Sequence, residues 1–383
     1  MKILFINLPY QGHVVPTIGL VQELIKLGCN VTYLMPFDWE DKVAESGAVF
    51  HGYKNHRQLS EQIKNAYAVA DKITPEFDLI IYEQFFFLGK HLAEKHNKPV
   101  VRIFTAPVTN QKLMKQFITA KGPLSIFKHK WIAKAFTKDI VKAITTDKYS
   151  PLKTDNWLDE IIENPPALNL VYTLREYQPY EEEFSDEQYK FLGPSIYERE
   201  SADFDFTKGE KPVLYISLGT VLKGAVSFFQ TCIDAFRDKN IDVIISVGHK
   251  FQIKKLKNIP PNVHIYPSVP QLQILKMADV FVTHGGMNSV SEALVYGTPM
   301  VIIPFVSDQP VNAECIERLG VGKHLEYPNV NTDTLKSVVS SMLENNRIQT
   351  NIQQLQQLIQ KAPGNKGGAK MIIDYYEECN KKE

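Results

Sequence analysis

The sequence predicts an α/β protein of two domains, each an open, doubly wound parallel sheet. Three observations carry that reading. Apolar strand-like runs alternate with helical spacing twice along the chain, and a polar segment at 197–211 (YERESADFDFTKGEK) divides the two series. The length, 383 residues, exceeds what one core ordinarily fills.

The first series opens at 2–8 (KILFINL), a run short and apolar enough for a buried strand. Residues 9–13 read as a loop. Helical spacing follows from 14 to 27, with Gly28 as its stop. Residues 30–35 predict the second strand, 38–46 a short helix and 49–53 a third strand. Strands at 78–82 and 99–104 continue the series, with a helix at 86–96 between them. The second series starts at 212–218 (PVLYISL), closed by Gly219-Thr220. Strands at 242–247, 263–266, 280–283 and 300–303 follow, with helices between. Repeated strand–helix–strand units demand a parallel sheet covered on both faces. Ligands of such sheets bind beyond the carboxyl ends of the strands, so two facing sheets would place a site in the cleft between domains.

Composition narrows the function. Hydrophobic residues make up 44% and charged residues 22%, ordinary values for a globular chain. Lysine plus arginine and aspartate plus glutamate both total 43, and the zero net charge argues against a general nucleic-acid binder. The four cysteines (Cys29, Cys232, Cys315, Cys379) are far apart and form no CxxC pair. They read as reduced thiols rather than a disulfide framework or a zinc site, and Cys315 as a packed thiol. The first residues lack a signal-peptide pattern and no apolar run is long enough to span a bilayer, so the expectation is a soluble cytoplasmic protein.

One segment departs from the series. Residues 111–148 hold nine lysines, two acids, and Phe117, Phe127, Trp131 and Phe136. The simpler reading is a set of helices with solvated lysines, and it is favoured because such stretches are common on protein surfaces. The sharper reading is a basic amphipathic surface making weak peripheral contact with an anionic membrane or an acidic partner.

The richest stretch is 279–309. A strand runs into His284-Gly285-Gly286, a helix starts near 287–289 and ends at Gly297, and a second strand leads to Ser307-Asp308-Gln309. A strand that turns at glycines into a helix start is an anion site, because free N–H groups point outward and the helix dipole favours negative charge. The ligand this implies carries phosphate, most naturally a nucleotide diphosphate. Asn288 and Ser289 occupy the first helical turn, and Glu292 lies one turn on, where a carboxylate suits ribose hydroxyls. Each residue alone is better read as a helix cap; the constellation is not. Asp308-Gln309 suits a polyhydroxylated ligand, against the simpler reading of an aspartate N-cap. Ser217-Leu218-Gly219-Thr220 ends the first strand of the second half, where Gly219 permits a tight turn and Thr220 could donate to phosphate.

In the first half, Gly12-His13 sits beyond the carboxyl end of the first strand. Histidine is the usual general base near neutral pH. Glu83, closing DLIIYEQ, could reach His13, fix its tautomer and stabilise the imidazolium. Phe85 and Phe86 follow, either as plain core or as the wall of an apolar acceptor pocket.

At this point the residues become familiar. HGGMNSVSEALVYGTPMVIIPFVSDQPVNA, with Val269-Pro270-Gln271 upstream, resembles the donor-binding signature of the family 1 UDP-glycosyltransferases, and GHVVPT resembles that family's base loop. The match covers essentially the whole chain, and the nearest likeness is to bacterial macrolide- and flavonoid-type members. The resemblance implies a GT-B fold: two Rossmann-like doubly wound parallel-sheet domains facing across a cleft. The domains are expected at 1–200 for the acceptor and 201–365 for the donor, with a last helix within 366–383, about 369–378, crossing back onto the first.

The resemblance also implies inverting sugar transfer without a metal or other cofactor, the UDP-sugar being a co-substrate. His13 is then the base, with Glu83 orienting it and Gly12 beside it binding the donor. His284, Gly286, Asn288, Ser289 and Thr220 would stabilise the departing diphosphate. Val269 and Gln271 would hold the uracil, Glu292 the ribose, and Asp308 and Gln309 the sugar hydroxyls. Glu83 stands where the family usually has aspartate. Ser268-Val269 stands where plant members have a tryptophan that stacks on uracil. The final Gln309 suggests a glucose donor. The enzyme implied moves glucose from UDP-glucose to a hydroxyl of a small hydrophobic acceptor such as a flavonoid, macrolide or other phenol. Three alternatives stand beside it. Residues 111–148 motivate a lipid glycosyltransferase at a membrane surface. A catalytically silent nucleotide-sugar binding protein is disfavoured by the presence of both His13 and Glu83. A sugar-nucleotide epimerase is disfavoured by Asp308-Gln309.

Overall fold

The computed structural model describes residues 1–113, 162, 164–197, 204–219, 226–305 and 308–381. It divides into two compact units, one formed by Met1–Tyr197 with Ala362–Glu383 and one by Glu198–Lys361. In the first unit the described elements run β1 (Lys2–Ile6), α1 (Gln11–Lys26), β2 (Asn30–Pro36), α2 (Glu40–Ala44), β3 (Val49–Tyr53), α3 (Leu59–Ile73), β4 (Leu79–Glu83), α4 (Gly89–Lys95), β5 (Val100–Phe104), β6 (Leu168–Val171) and β7 (Tyr189–Phe191). The sheet is parallel throughout, in the order β3-β2-β1-β4-β5-β6-β7. β4 and β5 are buried at every residue, as a parallel strand covered on both faces must be.

In the second unit β8 (Val213–Ser217), α5 (Val226–Phe236), β9 (Asp242–Ser246), β10 (Val263–Tyr266), α6 (Gln271–Met277), β11 (Val280–Thr283), α7 (Met287–Tyr296), β12 (Met300–Ile302), α8 (Gln309–Arg318), β13 (Gly322–His324), α9 (Thr332–Glu344) and α10 (Asn346–Lys361) follow. This sheet is parallel too, in the order β10-β9-β8-β11-β12-β13. The final helix, α11 (Gly364–Asn380), belongs to the first unit, where Ala369 and Ile372 are fully buried beside Leu20 and Leu24 of α1.

Each sheet reverses its winding at one place. The chain moves outward from β1 to β2 and β3, then returns to lay β4 on the other side of β1, pairing Ile6 with Tyr82. Likewise β11 returns to β8, pairing Thr283 with Ser217. The connections leaving the two strands diverge there, and the carboxyl ends form a crevice where loops converge. His13 and Glu83 stand at the first such point, and Gly219 and His284 at the second.

Three local differences from the sequence reading have physical reasons. The loop expected at 9–13 is shorter, because α1 already begins at Gln11 and the Tyr10 carbonyl accepts from His13 and Val14 N–H at 2.9 and 3.0 Å. Pro9 and Gly12 read as breakers, but a helix's first turn has few internal bonds to lose. The helix expected at 86–96 starts only at Gly89, the intervening residues being a turn. β6, β7 and β13 are three or four residues long, too short to carry a period. The lysine-rich segment 111–148, read as helices with solvated lysines ahead of a basic contact surface, lies outside the described residues apart from Gln111, Lys112 and Leu113. Among the described residues no helix is long and apolar enough to cross a membrane.

Candidate active site

Asn7, just beyond β1, is completely buried and ties down the first turn of α1. Its side-chain nitrogen donates to the His13 carbonyl at 2.9 Å and to the Tyr33 hydroxyl at 3.1 Å, while its oxygen accepts from Leu8 N–H at 2.7 Å. His13 is thereby carried on an ordered helix start, its side chain 20% exposed. Its Nδ1 lies 2.8 Å from Oε1 of Glu83, the last residue of β4, whose side chain is fully buried. Glu83 Oε2 accepts the Phe85 N–H at 3.0 Å. A carboxylate only accepts, so Nδ1 of His13 carries the hydrogen and Nε2 is the lone-pair nitrogen, the tautomer a general base requires.

Aromatic rings border this pair. Phe85 meets the imidazole edge-on at 4.4 Å between centroids, and Tyr10 lies 5.9 Å from Phe85 and 6.1 Å from His13. Tyr10 is 42% exposed, a large apolar surface held beside His13. Phe86 corrects the expectation of a pocket wall: it is fully buried in the core with Leu4, Ile6 and Tyr53. A tight turn, in which Phe86 N–H donates to the Glu83 carbonyl, sends the consecutive rings to different surroundings. Gly12 is exposed in the first turn of α1, and a methyl group there would meet nothing within 4 Å.

Thr105 and Tyr10 escaped the sequence reading. Thr105 follows β5 and its hydroxyl lies 2.8 Å from His13 Nδ1 and 3.1 Å from Glu83 Oε1. The available signal was positional only, since both follow the carboxyl end of a strand at or beside the winding reversal.

In the second unit, Gly286 caps α7 and Gly297 ends it in the left-handed region. The first helical bond is Val290 N–H to the Gly286 carbonyl, and Gly285 N–H turns back to Thr283 Oγ1 at 3.3 Å, so the N–H groups of Met287–Ser289 are the ones that precede the helix's internal bonds. His284 lies between two glycines. A Cβ at Gly219 would stand 2.7 Å from its Cε1, and one at Gly286 would stand 2.6 Å from its Nε2. Gly219 also has φ +63°, which a side chain resists. Thr220 lies outside the described residues.

His284 is 8% exposed, and among the described residues its Nδ1 has no hydrogen-bond partner. Burial pushes its pKa below the ordinary histidine value, opposed by the Asp308 carboxylate. The folded protein therefore binds the proton less readily than the unfolded chain, whose histidines titrate near about 6.5. Stability held by the neutral ring is full above that pH and is lost as pH falls through it towards the folded value. Unfolding midpoints taken from pH 8 to pH 5 should fall more for the wild type than for His284→Asn; parallel curves would rule out this titration.

Around α7, Gln271 at the start of α6 donates to Glu292 Oε2 at 2.5 Å and to Ser289 Oγ at 3.3 Å, and accepts from the Tyr215 hydroxyl at 3.0 Å. The structure thus brings Gln271, Ser289 and Glu292 together, with Glu292 only 3% exposed. Val269 and Asn288 are half-buried nearby in sequence. Asn312, also missed, is fully buried in α8 and links the two motifs: its side chain donates to the Gly285 carbonyl at 2.8 Å and to Asp308 Oδ2 at 2.9 Å. Gln309 is 3% exposed and its side-chain oxygen accepts the Phe305 N–H at 2.8 Å, so this amide also shapes the strand-to-helix turn. Among the described residues no group of three or more His, Cys, Asp or Glu is placed to hold a metal ion. Cys232 and Cys315 are buried, and burial raises the Cys315 thiol to about 11, so neither is an activated nucleophile.

The family model described as UDP-glucoronosyl and UDP-glucosyl transferase matches residues 195–365. The NDP-glycosyltransferase YjiC of Bacillus licheniformis is 32% identical, the match covering 97% of this chain and 96% of that protein. The oleandomycin glycosyltransferase of Streptomyces antibioticus is 25% identical over 94% of this chain and 87% of that one. Among solved structures, the glycotransferase of kitacinnamycin superposes with a TM-score of 0.84 at 24% identity, covering 98% of both chains. With two doubly wound parallel sheets of the GT-B type and a relative matched along nearly its whole length, the chain belongs to the UDP-glucoronosyl and UDP-glucosyl transferase family and is a glycosyltransferase.

Proposed function

We propose that this enzyme transfers glucose from UDP-glucose to a hydroxyl of a small hydrophobic acceptor, with inversion and without a metal or other cofactor. The observation that carries the reading is the 2.8 Å contact between His13 Nδ1 and the buried Glu83 carboxylate. Nε2 takes the acceptor proton as the acceptor oxygen attacks the anomeric carbon. The bond from that carbon to the diphosphate breaks with its electron pair on UDP. One in-line displacement inverts the anomeric centre, and Glu83 stabilises the imidazolium that results.

The second unit supplies the donor chemistry. The N–H groups opening α7 and the His284 ring offer hydrogen bonds to a diphosphate, and an anion against the ring favours its protonated form. These donors stabilise leaving-group charge where other enzymes use a divalent cation. Glu292 suits ribose hydroxyls and Asp308 the sugar, while Gln271 and Gln309 support the backbone and side chains around them. Tyr10 and Phe85 favour a flat apolar acceptor, and the oleandomycin relative agrees with a natural-product hydroxyl.

UDP-glucose offered with a panel of phenols, macrolides and lipids, with and without EDTA, tests this by mass spectrometry. A product heavier by one hexose, unaffected by EDTA and β-configured from the α-linked donor, is the expected result. UDP binding with no product and no glucose release would instead mark a silent binding protein. Glu83→Gln should lower kcat while leaving the KM for UDP-glucose near wild type, because the amide accepts from Nδ1 but carries no charge to balance the imidazolium. An unchanged kcat would remove Glu83 from the mechanism.

A further inference from the structure

We propose that Thr105 is a positioning residue for the base, closing a three-centre hydrogen-bond cluster with His13 and Glu83. The inference rests on the reading of His13 as the base. The three atoms stand close to an equilateral triangle: Nδ1 to Oε1 2.8 Å, Oγ1 to Nδ1 2.8 Å, and Oγ1 to Oε1 3.1 Å. Hydrogen bookkeeping assigns the donors. The Glu83 carboxylate only accepts, so the Nδ1 hydrogen points towards Oε1. Nδ1 is then no acceptor, and the single hydroxyl hydrogen of Thr105 also goes to Oε1. The hydroxyl lone pairs face the Nδ1–H from the side.

The arrangement addresses two physical problems. A fully buried carboxylate is costly unless its lone pairs are satisfied. Here Oε1 receives Thr105 and His13 while Oε2 receives the Phe85 N–H at 3.0 Å. The second problem is that glutamate has three side-chain torsions, and a carboxylate held by His13 alone can swing as the imidazole gains and loses its proton. Contacts to both oxygens from groups other than His13 remove that freedom. The parallel pairing of β4 and β5 places the third group there: Glu83 is the register partner of Ile103, and Thr105 comes two residues later. Thr105 is 3% exposed, so no water competes freely for its hydroxyl. Its branched Cβ restricts χ1, which a serine does not.

Thr105→Val keeps the shape and removes the hydroxyl; Thr105→Ser keeps the hydroxyl. With UDP-glucose and the panel acceptor that gives the highest rate, Thr105→Val should lower kcat about tenfold, as the loss of one charge-assisted hydrogen bond does, with the KM for UDP-glucose unmoved. Thr105→Ser should recover most of the rate. A second readout needs no turnover. In protein with ¹⁵N-labelled histidine, the His13 signals, identified by their disappearance in His13→Ala, should show hydrogen on Nδ1 in the wild type and in Thr105→Ser, and a mixture of tautomers in Thr105→Val. Wild-type kcat and an unchanged His13 spectrum in Thr105→Val, alongside an inactive His13→Ala, would overturn the role of Thr105. Full activity in His13→Ala would overturn the base reading instead, and the spectra would still decide whether Thr105 positions the ring.

Discussion

His13→Ala is expected to slow glycosyl transfer by about 10²–10⁴-fold, the range a positioned general base contributes. The affinity for UDP should stay within about twofold, because no donor to the diphosphate is removed. The helix turn that carries the ring is held by Asn7 through the His13 backbone carbonyl, which alanine retains, so the fold should survive the substitution. The melting temperature should fall, because the buried Glu83 carboxylate loses its His13 partner, while the protein remains folded. Isothermal titration with UDP and single-turnover rates with UDP-glucose separate the two effects. Equal loss of binding and turnover would sink the assignment, since it would mean that the substitution acts by disturbing the fold.

Gly286→Ala should act on the other half of the chemistry. Its backbone, at φ −63° and ψ 140°, is one that alanine adopts without strain. The cost is local instead, since the new Cβ would lie 2.6 Å from Nε2 of His284, and the ring cannot retreat freely because Gly219 leaves no more room on its side. The imidazole must rotate or tilt, and the hydrogen bond to a diphosphate oxygen proposed for it should be lost. Such a bond to a charged group is worth about 1.5–3 kcal/mol, so UDP affinity should fall by about ten- to a hundredfold. An unchanged dissociation constant for UDP in Gly286→Ala would mean that the ring does not touch the diphosphate.

Much of this chain is legible before any coordinates. A parallel strand buried on both faces must be apolar along its whole length, and a helix on a sheet must repeat its apolar positions. KILFINL, DLIIYEQ and PVLYISL therefore declare strands at sight, and the paired domains follow from the two series. The turn behind the proposed anion site is equally legible, because a strand that turns at His284-Gly285-Gly286 into a helix is set by local sequence. His13 and Glu83 could be named for the same reason: both follow strand ends.

What local pattern could not supply is which side chains meet. Thr105 is 92 residues from His13 along the chain and becomes its neighbour only because β4 and β5 pair in parallel at a particular register. Asn312 joins Gly285 to Asp308 only once α8 folds back over the glycine turn. Phe85 and Phe86 are identical as letters, yet one borders the base and the other fills the core, a difference decided by a single turn after β4. Periodicity and turn chemistry are properties of consecutive residues, so the chain alone specified most of its strands and helices and the glycine turn at 284–286. Contacts among residues distant in sequence depend on strand register and packing, and those settled the partners of His13 and His284.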